Sequence, residues 1–266
     1  DDKSWFWKRV RFRKFLIPSL VIVSLGCSDD LKILEERIKI QAEKNNTEIS
    51  VVDIKKTAIY LSEWGKVDFY QEDIDNFLKQ DESSFPEDID VLFTGSSSIR
   101  FWKSLDEDMK PLKVLNRGFG GAHIAHVNYH FEDVVKRYNP EAIVFFCGTN
   151  DLTALKTPEE TIDDFKIFQQ KVRDVFPSAH IFVIGIKPTP ARLYLENEEM
   201  EYNKFISDMS QDDELLTFID IWDAMLTSEG KRIPELFVED GLHINAEGYK
   251  IWTALVRENL KKLFTL

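Results

Sequence analysis

Cysteine is scarce in this chain, whose 266 residues include only Cys27 and Cys147. Cys147 lies within an apolar run that is typical of a buried strand. Domains held together by disulfides need several cysteines, so the sequence excludes a disulfide framework. The apolar content of 43% and aromatic content of 12% are instead enough for one sizeable hydrophobic core.

Positive charge is also in short supply, because 34 Lys and Arg residues face 47 Asp and Glu residues and leave a net charge of -13. Binding to nucleic acid or to an anionic membrane face depends on clustered Lys and Arg. We therefore expect no nucleic-acid partner and no electrostatic membrane partner. A neutral or cationic substrate is easier for such a surface to accommodate.

The chain lacks an apolar run of ordinary transmembrane length. Its residues 15–26, FLIPSLVIVSLG, follow a stretch with six basic but only two acidic residues. A spanning helix needs about 20 apolar residues, whereas a basic segment before a shorter run is typical of a signal peptide. Secretion is the first interpretation of residues 1–27, and a retained membrane-anchoring helix is the alternative. The opening DDK fits the remnant of an expression tag.

Cys27 directly follows this apolar run. The pentapeptide VSLGC resembles the lipobox of bacterial lipoproteins, although Ser24 stands where Leu is usual, and the following SDD resembles the acidic export signal of surface lipoproteins in Bacteroidetes. This resemblance implies that Cys27 is lipidated. It also implies a location in the cell envelope, with membrane contact only through the N-terminal anchor.

The rest of the chain divides into two parts by sequence pattern. Residues 28–88 are charged, with apolar residues at helical spacing in places, and we predict a helical extension or linker there. From residue 89 to 266, short apolar runs alternate with helical segments at 123–137, 159–175, 197–210 and 246–263. The apolar runs are 90–95, 113–119, 142–148, 180–186 and 216–221.

Strands that are apolar on both faces and alternate with helices indicate a parallel sheet covered on both sides. We therefore predict an α/β domain with three layers, α/β/α, around a five-stranded, mainly parallel sheet. Ligands bind to such domains at the carboxyl ends of the strands. The unusual residues of this sequence lie at those positions.

Three motifs follow the first three predicted strands. Gly95 precedes Ser96-Ser97-Ser98, and a glycine turn that leads into a helix can present a serine beside N–H groups able to stabilise an oxyanion. The second motif is NRGFGG, ending at Gly121, and the third is GTND, which contains Asn150 as a side-chain N–H donor. Each motif alone is also compatible with a simple helix cap or turn.

A fourth motif, DGLHIN, precedes the last predicted helix. Its Asp240 and His243 have the spacing at which a carboxylate can hold a histidine ring and stabilise its protonated form. That is what activation of a serine nucleophile requires. A histidine that merely caps the final helix is the alternative.

Taken in order, GSSSIRFW, NRGFGG, GTND and DGLHINAEGY resemble the SGNH hydrolase family, which is related to the GDSL lipases and esterases, over residues 89–265. The resemblance implies a flavodoxin-like α/β/α fold and a serine esterase that needs no cofactor or metal. It implies that Ser97 is the nucleophile, that His243 accepts its proton and that Asp240 orients His243. The main-chain N–H groups of Ser97 and Gly121 and the side chain of Asn150 would form the oxyanion hole.

The sequence departs from the common family pattern twice. Many relatives have Gly-Asp-Ser where this chain has Gly95-Ser96-Ser97, so Ser98 is the alternative nucleophile. Ala122-His123 follows Gly121, where Asp-Thr or Asp-Ser is frequent.

We expect an O-acyl ester substrate with a short acyl chain, of the acetyl type and carried by a glycan or small molecule. A lysophospholipase or thioesterase of the same family is the alternative.

Two further interpretations stay open. His123, His126 and His130 have helical spacing and could bind a transition metal, which would make the chain a metal hydrolase. A surface lipoprotein could instead bind a glycan or peptide without cleaving it. We predict Arg100, Trp102 and Arg192 as substrate-binding residues, and a purely binding pocket would add Trp64 and Tyr194.

Overall fold

The computed structural model describes residues 28–266. The chain divides into two compact units, the first ending at Phe69 and the second spanning Tyr70–Leu266. The predicted leader and the predicted lipidation site Cys27 lie outside the described residues. Between residues 28 and 266, no helix is both long and apolar enough to cross a bilayer.

The described part of the first unit contains two helices, α1 (Ser28–Lys44) and α2 (Val51–Trp64), which contact each other. The side chain of Ser50 caps α2 by accepting a hydrogen bond of 3.1 Å from the backbone N–H of Asp53. The apolar pattern of residues 50–64 taken alone fits either a helix or a strand. The cap and the helical spacing of the buried Ile54, Ala58 and Leu61 explain why it is a helix.

The second unit is built on a five-stranded sheet in the order β2-β1-β3-β4-β5. All four strand pairs are parallel, which confirms the predicted sheet. The strands are β1 (Val91–Gly95), β2 (Val114–Gly118), β3 (Ala142–Phe146), β4 (His180–Ile184) and β5 (Leu216–Ile219). Several observed strands end one or two residues before the predicted apolar runs do. The remaining residues of those runs belong to the loops that follow the strands.

Helices connect these strands and cover both faces of the sheet. The predicted helix 123–137 is interrupted at His130, whose backbone (φ -91, ψ 15) departs from helical values. The helices are α3 (Gln71–Ser83), α4 (Ser97–Arg100), α5 (Leu105–Asp108), α6 (Ile124–Tyr129), α7 (Phe131–Val134), α8 (Thr149–Thr153), α9 (Pro158–Val175), α10 (Glu196–Asp212) and α11 (Ala246–Leu260).

Two adjacent phenylalanines of β3 show why the unit has three layers. Phe145 stacks on Phe168 of α9 with ring centroids 4.4 Å apart, and Phe146 lies 4.9 Å from the ring of Trp252 in α11. Successive side chains of a strand point to opposite faces, so α9 and α11 must cover opposite faces of the sheet. The predicted α/β/α arrangement is confirmed.

Helix α3 belongs to the second unit, although we assigned residues 28–88 to the extension. A buried ion pair links Asp81 of α3 to Arg117 of β2 at 2.5 Å, and the hydroxyl of Tyr138 donates to the same carboxylate at 2.6 Å. Breaking such a buried pair typically costs about 3–5 kcal/mol, so it holds α3 firmly to the sheet. The boundary between the units is therefore at Phe69/Tyr70 and not near residue 88.

Gly95 occupies the point where β1 turns into α4. Its φ is +126°, and an added Cβ would lie 2.1 Å from the carbonyl oxygen of Phe146 in the neighbouring strand. We expect Gly95→Ala to lower the free energy of unfolding by more than about 3 kcal/mol, because backbone strain and overpacking each cost about 1–3 kcal/mol. Urea denaturation of the wild type and the variant measures the difference.

Gly230→Ala is the matched control for this substitution. Gly230 also has a positive φ, +74°, but an added Cβ would meet no heavy atom within 4 Å. The control should lose only about 1–2 kcal/mol, the cost of a left-handed backbone alone. If the two variants lost the same free energy of unfolding, the contact of the added Cβ with Phe146 would contribute nothing to the loss.

Candidate active site

Ser97 begins α4, directly after the turn at Gly95. The first N–H groups of a helix have no partner within the helix, so the backbone N–H of Ser97 points out of its N-terminus. The side-chain Oγ lies 2.9 Å from Nε2 of His243. The strand-to-helix turn thus places a hydroxyl and a backbone donor at the carboxyl edge of the sheet, beside a histidine.

A short loop between residues 237 and 244 holds that histidine. An antiparallel bridge between Phe237 and Ile244 closes the loop, and the N–H of Val238 donates to the carbonyl of His243 at 2.8 Å. These backbone contacts hold residue 243 in place independently of the contacts of its ring. His243 and Asp240 lie on the same closed loop.

Asp240 uses its two carboxylate oxygens differently. Oδ1 accepts the backbone N–H groups of Leu242 and His243 at 2.8 and 2.9 Å, and Oδ2 lies 2.6 Å from Nδ1 of His243. Partial burial raises the pKa of Asp240, but these hydrogen bonds together hold it well below its usual range. The carboxylate is ionised, and it can keep a proton on Nδ1 and stabilise an imidazolium.

Phe101 also packs against the histidine, a contact that was not predicted from the sequence. Its ring meets that of His243 edge to face, with the centroids 5.0 Å apart, and 42% of Phe101 is exposed. Contact with Asp240 and with Phe101 together restrains the imidazole. Phe101 lies in the GSSSIRFW motif, but α4 is too short for periodicity to show which way the ring points.

Gly121 and Asn150 come from the loops after β2 and β3. Gly121 has a φ of +78°, which turns the chain towards α6, and Asn150 is a buried residue of α8. The Nδ2 of Asn150 donates to the carbonyl oxygen of Ala122 at 3.1 Å. The structure thus connects the two predicted oxyanion-hole loops directly.

The loop that contains Gly121 is supported by side chains from elsewhere, since Ala122 itself has no polar group. Both oxygens of Asp151 lie 3.2 Å from the N–H of Ile124, and Nδ1 of His126 accepts the N–H of His123 at 2.8 Å. Burial raises the pKa of Asp151 to about 6, and the ammonium group of Lys156 opposes that shift. The fourth residue of the GTND motif, Asp151, therefore anchors this loop.

Ser98 faces the interior. It is 2% exposed, and its Oγ accepts a hydrogen bond of 3.0 Å from Nζ of Lys187. Lys187 lies 4.8 Å from the ring centroid of Phe146, and burial lowers its pKa to about 7. This position does not fit Ser98 as the nucleophile. Lys187 lies in the segment KPTPAR after β4, and its sequence alone did not predict this burial.

The three predicted substrate-binding residues differ in their exposure to solvent. Trp102 is 1% exposed and its indole N–H donates to Asp108, so it is a core residue and the prediction for it does not hold. Arg192 is 4% exposed and contacts other protein groups, so direct substrate binding does not fit it either. Arg100 is about half exposed, lies 3.2 Å from Asp73 and keeps access to solvent.

The three histidines do not form a metal centre. His126 already uses Nδ1 as an acceptor for a backbone N–H, its ring lies 4.7 Å from that of His123, and His130 is buried. Across residues 28–266, no group of three His, Cys, Asp or Glu side chains is arranged to hold a metal ion. His123 and His126 instead lie at the start of α6, and His130 lies at its end.

Solved structures resemble this chain in fold. A GDSL-like lipase from Bacteroides thetaiotaomicron is 16% identical, with a TM-score of 0.60 over 72% of this chain and 98% of that chain. A carbohydrate esterase family 3 protein from Talaromyces cellulolyticus is also 16% identical, with a TM-score of 0.53 over 66% of this chain and 98% of that chain.

Sequence comparison gives a distant relative and a family. The N-acylneuraminate cytidylyltransferase of Escherichia coli O18:K1:H7 (strain RS218 / NMEC) is 23% identical over 74% of this chain, which spans only 46% of the length of that relative. The model of the GDSL-like Lipase/Acylhydrolase family matches residues 90–251, which include the turn at Gly95 and the loop of His243. With that match over more than half of its length, the chain belongs to the GDSL-like lipase/acylhydrolase family of hydrolases.

Proposed function

We propose that this chain is a serine esterase in which Ser97 attacks the acyl carbon. The observation that carries the proposal is the continuous line from Ser97 Oγ to His243 Nε2 at 2.9 Å and from His243 Nδ1 to Asp240 Oδ2 at 2.6 Å. A serine, a base and a group that orients the base, all within hydrogen-bond reach, are the arrangement that nucleophilic acyl transfer requires.

In the first half of the reaction, Ser97 donates its proton to Nε2 of His243 while Oγ forms a bond to the acyl carbon. Asp240 stabilises the imidazolium that results. The tetrahedral intermediate then expels the alcohol, which receives the proton from His243. A water molecule repeats the sequence on the acyl-enzyme and releases the carboxylic acid.

The oxyanion of each intermediate needs preorganised donors. We assign this role to the backbone N–H groups of Ser97 and Gly121 and to Nδ2 of Asn150, as the sequence motifs predict. Support comes from the position of Ser97 at a helix N-terminus and from the hydrogen bond of Asn150 to the carbonyl next to Gly121. Fixed donors of this kind stabilise developing charge without reorganisation during the reaction.

We further propose that the acyl group is short, with acetyl as the favoured member and a glycan as the favoured alcohol. Arg192 donates to Asn150 and Glu199 contacts Thr149, and these buried polar side chains would be a poor surface for a long alkyl chain. The exposed ring of Phe101 beside His243 offers an aromatic surface to the leaving group. The predicted cell-envelope location agrees with a glycan.

A panel of esters tests this proposal. We expect the full chain to release acetate from acetylated oligosaccharides and from p-nitrophenyl acetate at least about tenfold more efficiently, by kcat/KM, than it cleaves p-nitrophenyl palmitate or a lysophospholipid, since each tenfold step needs only about 1.4 kcal/mol of discrimination. An acetyl thioester belongs in the same panel. A preference for long chains or thioesters would overturn the acyl or alcohol assignment, and no hydrolysis of any ester would favour a binding protein.

A further inference from the structure

The group that contacts the carbonyl end of the Asn150 side chain is a buried arginine. Nη2 of Arg192 donates to Oδ1 of Asn150 at 2.9 Å, and Nη1 donates to Oγ1 of Thr149 at 2.5 Å. Arg192 is only 4% exposed, so its charge is directed into the protein. The same guanidinium thus contacts two consecutive residues at the start of α8.

The two ends of the Asn150 amide have different partners, and this fixes its orientation. Oδ1 accepts from the guanidinium of Arg192, which has only donors, and Nδ2 donates to the carbonyl oxygen of Ala122, which has only lone pairs. A flipped amide would place N–H against guanidinium and oxygen against oxygen. Both contacts therefore favour the one orientation in which the NH₂ group lies on the side of the Gly121 loop.

Buried groups behind Arg192 in turn hold the guanidinium. The hydroxyl of Thr149 donates to Oε1 of Glu199 at 3.1 Å while it accepts from Arg192. Glu199 is fully buried, and its Oε2 finds no hydrogen-bond partner among residues 28–266. Burial raises the pKa of Glu199 to about 8, and the positive charge of Arg192 opposes that shift, so the two buried groups interact electrostatically. A series of hydrogen bonds therefore runs from Glu199 through Thr149 and Arg192 to Asn150, at the proposed oxyanion hole.

We propose that Arg192 is a positioning residue that orients and polarises the amide of Asn150 for the oxyanion, instead of binding substrate. This inference rests on the proposed function, because it assigns a partner to one of the three oxyanion donors. Hydrogen bonding of Oδ1 to a cation withdraws electron density from the amide and strengthens Nδ2 as a donor. The residue acts through Asn150 and does not touch the reacting atoms.

The test is a double-mutant cycle of Arg192→Met and Asn150→Ala with p-nitrophenyl acetate as substrate. We expect Arg192→Met to lower kcat about 10- to 100-fold with little change in KM, less than the hundred- to thousand-fold loss typical of a deleted oxyanion donor. In the Asn150→Ala background, the same substitution should change kcat by less than about threefold, because the residue through which it acts is gone.

Arg173→Met is the matched control, since it removes an arginine that also makes several hydrogen bonds. Arg173 donates to the carbonyls of Ala179 and Leu215 and to Asp213, near the amino ends of β4 and β5. We expect it to change thermal stability but not kcat. If Arg192→Met shows no cooperative thermal unfolding, Arg192→Lys replaces it in the cycle, with a smaller loss of kcat that also disappears in Asn150→Ala.

Two results would overturn the inference. Additive losses in the double variant would show that Arg192 acts independently of Asn150, and an effect on KM alone would return it to substrate binding. Failure of the proposed function looks different, because hydrolysis would then survive in Ser97→Ala. In that case no oxyanion role remains for Asn150, and the inference about Arg192 falls with it.

Discussion

Replacement of Ser97 by alanine should reduce kcat for p-nitrophenyl acetate by about 10⁴-fold or more, because loss of the nucleophile of a triad leaves only the oxyanion donors and binding. The substitution removes the Oγ that lies 2.9 Å from His243 and leaves the Asp240–His243 pair in place. A fluorophosphonate probe, which reacts with activated serines, should label the wild type at Ser97 and leave the variant unlabelled. Mass spectrometry of the labelled peptide locates the adduct.

Ser98→Ala is the control that separates two adjacent serines. The Oγ of Ser98 accepts from Lys187 in the interior, so we expect this variant to remain labelled at residue 97. Its cost should appear in the free energy of unfolding, since a buried donor left without its partner loses about 1–3 kcal/mol. Labelling that persists in Ser97→Ala and disappears in Ser98→Ala would transfer the nucleophile to Ser98.

The parts of the site that sequence could predict are those fixed by topology. Strands that are apolar on both faces indicate a parallel sheet, and a parallel sheet brings the carboxyl ends of its strands to one edge. The residues after the first three strands, Ser97, Gly121 and Asn150, consequently belong to the same region of the molecule. The pairing of Asp240 with His243 was predictable as well, because it needs only a local loop.

The directions of individual side chains were harder to predict. Trp102, the last residue of the GSSSIRFW motif, and Arg192, in a loop after the fourth strand, were assigned to a substrate pocket, yet both are buried. Trp102 follows the four-residue helix α4, and Arg192 lies in the 3₁₀ segment Pro190–Leu195, which contains a kink at Arg192 itself. Segments this short have too few turns for hydrophobic periodicity to identify their inner face.

Long-range polar contacts explain the other differences between sequence and structure. Glu199 lies in a helix rich in acidic residues, and no feature of its sequence distinguishes it from its exposed neighbours; its contact with Thr149 depends on how α10 packs. Asp81 is similar, because its burial depends on Arg117 in a strand that follows much later in the chain. Such pairs need tertiary structure to be recognised, so the boundary of the second unit was placed too far along the chain.

Asp240→Asn is the most informative change at the histidine. Two backbone N–H groups donate to Oδ1, so they determine which way the amide of an asparagine would point. In the wild type, Leu242 and His243 donate to Oδ1, so an asparagine would keep its carbonyl oxygen there and place its NH₂ where Oδ2 now faces Nδ1 of His243. Nδ1 would then have to accept, and the ring proton would move to Nε2. A protonated Nε2 cannot take the proton of Ser97.

We therefore expect Asp240→Asn to lower kcat by about 10⁴-fold at neutral pH, the size of effect produced by the wrong histidine tautomer in a serine triad. Glu239→Gln, a change of the same kind in the exposed neighbouring residue, should leave kcat unchanged. Hydrogen bonds hold the pKa of Asp240 well below its usual range, so the wild-type carboxylate stays ionised throughout the neutral range and the difference between the variants should persist across it. Steady-state rates from about pH 6 to pH 8 measure this. If Asp240→Asn retained activity within tenfold of the wild type, the carboxylate would only shape the loop, and the histidine would have to be held in its active tautomer by another group.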